Sequence, residues 1–337
     1  MSENSAARAY IAPAIVKTKG PFRAIVAAKE KERSAMSDII NRLPGSRILL
    51  RLMHFAAFAS FVAWPLPGLT QEPPRVVEAF GPFKVIGNIY YVGDKGNAVY
   101  LFPTPEGHIL FDTGYPETAP IVRASVEKLG FQMRDIKIMI NGHAHVDHVG
   151  GHAQVKDMTG AVIVASELDA PVIESGARRG DFRGPRANPW APAKVDRIIK
   201  DGDTVSLGGV TLTAHHTPGH TLGNLSWTTT IEDGGRRLNV AIMPSIGVNQ
   251  GVRVVNNPNN PTIIDQYQNT YRVLKTLPCE VFLSPHGIHY GLEAKYARMQ
   301  AGAAQNPFID PVGCRQYVER AEARFMKQVE EESRTAR

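Results

Sequence analysis

The amino-acid sequence of residues 75–337 predicts an α/β layered domain. Short segments rich in β-branched and aromatic residues alternate with segments of helical periodicity, and this alternation runs through two successive halves. Polar segments follow several of these strands, as catalytic loops do in such domains. Of the 337 residues, 43% are hydrophobic and 21% are charged, a composition that excludes a wholly disordered chain.

In the first half of the domain, the predicted strands are apolar segments bounded mostly by Gly, Pro or polar residues. They cover residues 84–92, 98–103, 108–111, 137–140 and 161–165. The first predicted helix has apolar residues at helical spacing and ends at Gly130, a residue typical of helix C-termini. The predicted helices cover residues 117–129, 150–159 and 166–176.

The second half begins with strands and closes with helices. Strands are predicted at residues 205–215, 224–230, 238–243 and 280–283. The second and third of these flank Glu232–Arg236 (EDGGR), a sequence typical of a hairpin turn. Helices are predicted at residues 262–277, 292–299 and 311–333.

Residues 1–74 are predicted to be an N-terminal extension and signal peptide. The apolar core Leu52–Trp64 has 13 residues, arginines precede it and prolines follow it, as in secretory signals. A membrane-spanning helix needs roughly 18–20 apolar residues, so no membrane association beyond the signal is expected. Met36 lies at a normal distance before the core, and cleavage is expected within Pro67–Pro74. The expected location is periplasmic or secreted; a short buried helix is the alternative for the apolar core.

The distribution of charge argues against a nucleic-acid partner. The chain has a net charge of +6, but residues 1–74 alone hold 10 Lys or Arg and 5 Asp or Glu, so the rest is nearly neutral. The cysteine count of 2 also excludes a disulfide-dense scaffold and a zinc module built from four Cys ligands.

The segment Asn141–Gly151 (NGHAHVDHVGG) directly follows a predicted buried strand and predicts a metal centre. His143 and His145 share one face of an extended chain, so they can bind one ion. Asp147 and His148 follow as the chain turns into a helix, and they can face a second ion. Imidazole nitrogen suits zinc, and a carboxylate can complete a second site. This density of ligands disfavours the alternative of a polar loop with incidental histidines.

Two later histidines complete the expected set of ligands. His220 follows a strand within the Gly/Pro turn of HHTPGH, and His286 follows another short strand. The expected sets are His143, His145 and His220 for a first zinc ion and Asp147, His148 and His286 for a second. The competing candidates, expected to lie behind the ligands or on the surface, are His152, His215, His216 and His289. His108, inside a strand, is expected to be structural.

Together, the His143–His148 run, the His220 turn and His286 resemble the metallo-β-lactamase superfamily over nearly all of residues 80–337. This resemblance implies a four-layer αβ/βα sandwich, in which two mixed β-sheets pack face to face with helices outside. The superfamily contains glyoxalase II-like thioesterases, lactonases, ribonucleases and β-lactamases, so membership alone leaves the substrate open.

A narrower resemblance is to subclass B3 metallo-β-lactamases. Most hydrolytic members of the superfamily have a bridging Asp after the third His, but the window Val240–Asn249 (VAIMPSIGVN) contains no Asp and has Ser245 instead. The sequences GHILFDTG, PGHTLGNLSW, LPCEVFLSPH and NPFIDPVGC are also similar to this subclass. The resemblance implies a disulfide between Cys279 and Cys314, which export would permit. Two buried free thiols are the alternative.

The resemblance implies a zinc-dependent hydrolase, active with two zinc ions, that opens the β-lactam ring of penicillins, cephalosporins or carbapenems and confers antibiotic resistance. Asp147 is expected to orient a zinc-activated water, and Ser245 is the candidate for binding the substrate carboxylate. Gly142 and Leu222 stand where a hydroxyl residue and Pro are common in the family, so the β-lactams accepted stay open. The alternatives are a periplasmic lactone or ester hydrolase and a non-catalytic zinc-binding protein. A monomer acting on a small molecule is expected.

Overall fold

The computed structural model describes residues 75–184 and 190–335 of the chain. The first seven strands are Phe83–Ile86 (β1), Ile89–Tyr91 (β2), Tyr100–Thr104 (β3), Gly107–Phe111 (β4), Ile136–Ile140 (β5), Val162–Ser166 (β6) and Arg197–Ile199 (β7). The other five are Thr204–Leu207 (β8), Val210–His216 (β9), Leu225–Asp233 (β10), Arg236–Ile242 (β11) and Val281–Leu283 (β12).

The helices divide in the same way between the two halves. Those of the first half are Ala119–Lys128 (α1), Val146–Val149 (α2), His152–Thr159 (α3) and Ala170–Ser175 (α4). Those of the second half are Ile263–Leu274 (α5), Gly287–Tyr290 (α6), Leu292–Gln300 (α7) and Pro311–Thr335 (α8).

The strands form two mixed sheets. One has the order β1-β2-β3-β4-β5-β6-β7, and the other has the order β12-β11-β10-β9-β8. Strands β4 to β7 pair in parallel, as do β11 and β12, and the remaining neighbours pair antiparallel. The carboxyl ends of β4, β5 and β6 therefore lie along the same edge of the first sheet.

Alternation along β4 shows how the layers are built. Ile109 and Phe111 pack in the core between the two sheets, whereas Leu110 packs in a second core with Val122 of α1 and Ile173 of α4. Successive side chains of a strand point to opposite faces, so one apolar strand supplies both cores. Helices α5 and α8 pack against the core on the side of the second sheet. The predicted sandwich of two sheets between helices is confirmed.

Several details of the sequence prediction were wrong, and the short helix α6 was not predicted at all. Residues 84–92 form two strands, because the chain turns at Gly87 with φ +52°, a conformation that favours glycine. Residues 205–215 likewise divide into β8 and β9 at a Gly-Gly turn. The short strand β7 was not predicted, because three residues show no periodicity. The helix predicted at residues 166–176 begins only at Ala170, since Ser166 still belongs to β6.

No helix in residues 75–184 and 190–335 is both long and apolar enough to cross a membrane. The apolar core Leu52–Trp64 and the rest of the predicted signal peptide lie outside the described residues. The boundary between residues 74 and 75 therefore stays a prediction.

A disulfide joins Cys279, just before β12, to Cys314 in the first turn of α8. This is the pairing that the family resemblance implied. The bond links the second sheet directly to the C-terminal helix.

Removing this disulfide is expected to lower the free energy of unfolding by about 2–4 kcal/mol, because the bond closes a loop across a sequence separation of 35 residues and so restricts the unfolded chain. Urea denaturation of the oxidised protein and of a Cys279→Ser/Cys314→Ser variant measures the difference. A reducing agent should destabilise the oxidised protein and leave the variant unchanged. Equal stability of all forms would contradict the expectation.

Candidate active site

All six predicted metal ligands lie where strands of the two sheets end. His143 and His145 follow β5, and Asp147 and His148 lie in the short helix α2 just beyond them. The last two come from the second sheet. His220 lies in the connection between β9 and β10, and His286 lies between β12 and α6.

The first triad consists of His143, His145 and His220, whose candidate ligand atoms all lie within 4.8 Å of one another. Nε2 of His143 and Nδ1 of His145 are 2.9 Å apart. The Nδ1 atom of His220 hydrogen-bonds to the carbonyl oxygen of Gly247 at 2.8 Å. Since Nδ1 donates its proton there, Nε2 of His220 is the nitrogen left with a lone pair for a ligand.

The second triad consists of Asp147, His148 and His286, whose candidate ligand atoms also lie within 4.8 Å of one another. Oδ2 of Asp147 lies 3.4 Å from Nε2 of His148 and 3.5 Å from Nε2 of His286. The two triads are adjacent, because the ring centroids of His143 and His148 are 4.2 Å apart.

The residues present fit a divalent metal. Nε2 of His148 is buried and has no hydrogen-bond partner in the described part of the chain. An unpaired buried polar atom is costly, and a metal ion placed between this nitrogen and Asp147 would satisfy it. Imidazole nitrogens with one carboxylate form a donor set that suits zinc.

Metal binding requires neutral imidazole and ionised carboxylate, and the pKa values of three ligands fit this in the metal-free protein. Burial lowers the pKa of His145 to about 4 and that of His286 to about 3, so both rings are neutral at neutral pH. Burial opposes ionisation of Asp147, but the neighbouring His148 and His286 lower its pKa to about 2. His148 differs: burial opposes its charge, but the carboxylates of Asp147 and Asp112 raise its pKa to about 9, so a metal ion bound there would displace a proton.

Comparison with known proteins places this geometry in a family. Residues 91–233 match the family model described as the metallo-β-lactamase superfamily. The structure resembles the native metallo-β-lactamase of Legionella gormanii with a TM-score of 0.74 and 38% identity, covering 77% of this chain and 99% of that one. A subclass B3 metallo-β-lactamase of Bradyrhizobium japonicum gives a TM-score of 0.72 and 40% identity, covering 77% and 98%.

The chain belongs to the metallo-β-lactamase superfamily. It is therefore a hydrolase of a family that acts on small molecules, and its histidine-rich triads indicate a divalent metal. Curated relatives include the hydroxyacylglutathione hydrolase of Hyphomonas neptunium, 33% identical over 131 residues, or 39% of this chain and 42% of that protein. A hydroxyacylglutathione hydrolase of Rhodopseudomonas palustris is 30% identical over a stretch of 131 residues. This match spans less than half of the length of these relatives.

Two buried carboxylates form hydrogen bonds to the triads or to the loops that carry them. Neither carboxylate was identified from the sequence. Asp112, after β4, accepts hydrogen bonds from Nδ1 of His148 at 2.8 Å and from the N–H of Gly142 at 3.0 Å. The bond from His148 leaves Nε2 of that ring facing Asp147. Burial raises the pKa of Asp112. Asp112 belongs to GHILFDTG, one of the segments that resemble subclass B3. Its hydrogen-bond partner His148 lies 36 residues away, and nothing in the sequence indicates this pairing.

Asp169, after β6, connects the two loops that carry the first triad. Its Oδ2 accepts hydrogen bonds from the N–H of Ala144 at 2.8 Å and from the hydroxyl of Thr221 at 3.2 Å. Ala144 stands between two triad histidines, and Thr221 follows His220. The carboxylate therefore ties the loop after β5 to the loop after β9.

The first triad also has a charged neighbour outside it. Oδ2 of Asp181 lies 3.5 Å from Nε2 of His145, the nitrogen that does not face the other histidines. Arg183 donates from Nε to the same carboxylate oxygen at 2.9 Å and also contacts His145. The guanidinium and carboxylate form one wall beside the first triad.

The four competing histidines lie outside both triads. His152 pairs with the Thr113 hydroxyl, His215 with the Thr228 hydroxyl and His216 with the Leu222 carbonyl. His289 pairs with the hydroxyls of Ser284 and Tyr317. His108 is buried within β4, with its ring edge-on to that of Phe131, as expected for a structural residue. Ser245 is buried in the segment after β11, two residues before Gly247, and its contact with substrate stays a prediction.

Proposed function

We propose that this chain is a zinc-dependent hydrolase that opens the ring of β-lactams, with two zinc ions per chain. The observation that carries the proposal is the pair of adjacent triads in which Asp147 is the only carboxylate among the described ligands. The window Val240–Asn249, where other hydrolases of the superfamily have a bridging Asp, has none. The similarity to solved metallo-β-lactamases over almost their whole length supports the same conclusion.

The proposed roles follow from the geometry of the two triads. His143, His145 and His220 hold one ion, and Asp147, His148 and His286 hold the other. Bound zinc lowers the pKa of a water from about 15.7 toward about 7 and polarises a carbonyl.

Asp147 also accepts a hydrogen bond from the attacking water and so aims its oxygen at the lactam carbonyl carbon. The water oxygen bonds to that carbon, the ring C–N bond breaks, and the nitrogen leaves with a proton that the water supplied. Ser245 donates a hydrogen bond to the substrate carboxylate.

Zinc-loaded protein is expected to open β-lactams, and a chelator is expected to abolish the activity until zinc is restored. Loss of ring absorbance for a penicillin, a cephalosporin and a carbapenem measures it. Clavulanate-type inhibitors should have little effect, since they trap a serine nucleophile that this mechanism does not use. If zinc-loaded protein leaves all three classes intact, the β-lactamase proposal is wrong.

Hydrolysis of an ester, lactone or thioester is the second candidate, because the curated relatives include hydroxyacylglutathione hydrolases. The same assay tests it with a hydroxyacylglutathione thioester and a lactone in place of the β-lactam. We propose β-lactams first because the hydroxyacylglutathione hydrolases match over 42% of their length and the metallo-β-lactamases over 98–99%.

We also propose that the protein works as an exported monomer and, in a bacterium exposed to β-lactams, confers resistance. The disulfide between Cys279 and Cys314 supports export, because such bonds persist in oxidising compartments.

A further inference from the structure

One face of helix α5 donates three hydroxyl hydrogen bonds to the backbone around the candidate active site. Tyr267, Thr270 and Tyr271 stand at i, i+3 and i+4, so they share this face. Tyr267 donates to the carbonyl of Gly247 at 2.9 Å, Thr270 to that of Pro218 at 2.7 Å, and Tyr271 to that of Ile246 at 2.9 Å. These acceptors belong to two separate loops, the one that carries His220 and the one that carries Ser245.

Tyr267 contacts both loops. Its hydroxyl meets the carbonyl oxygen of Gly247, which is the atom that also accepts the hydrogen bond from Nδ1 of His220. Its ring packs on Gly219, the residue before His220, where an added Cβ would lie 2.9 Å from three ring atoms. Gly219 has φ +131°, so this close approach depends on glycine.

The hydrogen bond to the Gly247 carbonyl fixes which ring nitrogen of His220 is turned toward the first triad. Because Nδ1 of His220 donates to this oxygen, Nε2 is the nitrogen available to a metal. His220 is also the single member of the triad that does not come from the loop after β5. Its position relative to His143 and His145 therefore depends on contacts such as that of Tyr267.

We propose that Tyr267 is a positioning residue for the first metal site: its hydroxyl holds the Gly247 carbonyl where it orients the His220 ring. The inference rests on the proposed function only in taking the first triad as a zinc site. Tyr271 provides a matched comparison, since its hydroxyl binds the neighbouring carbonyl of Ile246, to which no ligand histidine donates in the described residues.

The test is zinc titration of metal-free Tyr267→Phe and Tyr271→Phe, in competition with a chromophoric chelator. The variants His145→Ala and His286→Ala assign the two binding events to the two triads. In Tyr267→Phe, zinc affinity of the first site should fall about tenfold, as when a hydrogen-bonded partner of a ligand is lost, while the second site keeps its affinity. In Tyr271→Phe, both affinities should stay within about twofold of wild type.

Thermal unfolding of the metal-free variants separates positioning from general loosening. Each substitution keeps the aromatic ring and removes one buried hydroxyl, so both variants should lose similar stability. Equal losses of zinc affinity in the two variants, or unchanged affinity in Tyr267→Phe, would overturn the proposal. The readout is metal binding, so an inactive wild type toward β-lactams would refute the proposed function and leave this test intact.

Discussion

Replacing His220 by alanine is expected to remove one of the two proposed zinc equivalents and to lower hydrolysis on the order of 100-fold or more. The first triad supplies three nitrogens, and loss of one leaves too few ligands for a tightly held zinc ion. Loss of an outer partner of a ligand typically costs about 10–100-fold in affinity or activity, so loss of a ligand should cost more.

His215→Ala is the matched control for this variant. His215 is in β9, five positions before His220, but its Nε2 pairs with the hydroxyl of Thr228 at 2.8 Å, away from both triads. Zinc content by mass spectrometry and the rate of ring opening are measured for both variants. If His215→Ala loses metal and His220→Ala keeps two equivalents, the assignment of the third histidine is wrong.

Replacing Asp112 by asparagine is expected to weaken zinc binding at the second triad by about 10–100-fold and to lower hydrolysis by at least as much. The variant keeps the shape of the buried side chain and an oxygen for the N–H of Gly142. It places an amide NH₂ against Nδ1 of His148, 2.8 Å away in the wild type. Two donors then face each other, unless the ring moves its proton to Nε2, the nitrogen needed for zinc.

Glu280→Gln is a useful comparison, because Glu280 is a half-buried carboxylate that accepts hydrogen bonds from the backbone N–H and the side-chain amide of Asn239, and it belongs to neither triad. Zinc titration and urea denaturation of Asp112→Asn and Glu280→Gln measure metal binding and stability separately. Glu280→Gln should reduce stability while keeping zinc affinity. A loss of zinc affinity in Glu280→Gln as large as in Asp112→Asn would mean that the effect is not specific to the carboxylate that contacts His148.

The sequence alone was enough to locate the centre of the site and the type of fold. Four candidate ligands stand within six residues of each other in His143–His148, directly after an apolar strand, so their proximity follows from chain connectivity. The layered fold followed from strand and helix signals that repeat over long stretches. The pairing of Cys279 with Cys314 came from the family resemblance, since two cysteines in a sequence do not by themselves show that they are bonded.

Only the tertiary structure decided which distant residues support the ligands. Asp112 and Asp169 follow β4 and β6, and both reach the loop after β5 because these three strands are parallel neighbours with their carboxyl ends at one edge. His220 differs, because its Gly/Pro turn already favoured it over His215 and His216 in the sequence, and the structure places it in the first triad. Tyr267 reaches His220 through a backbone carbonyl, which any residue type can offer. Contacts of this kind depend on strand order and loop paths rather than on local spacing, so no periodicity or motif in the sequence reveals them.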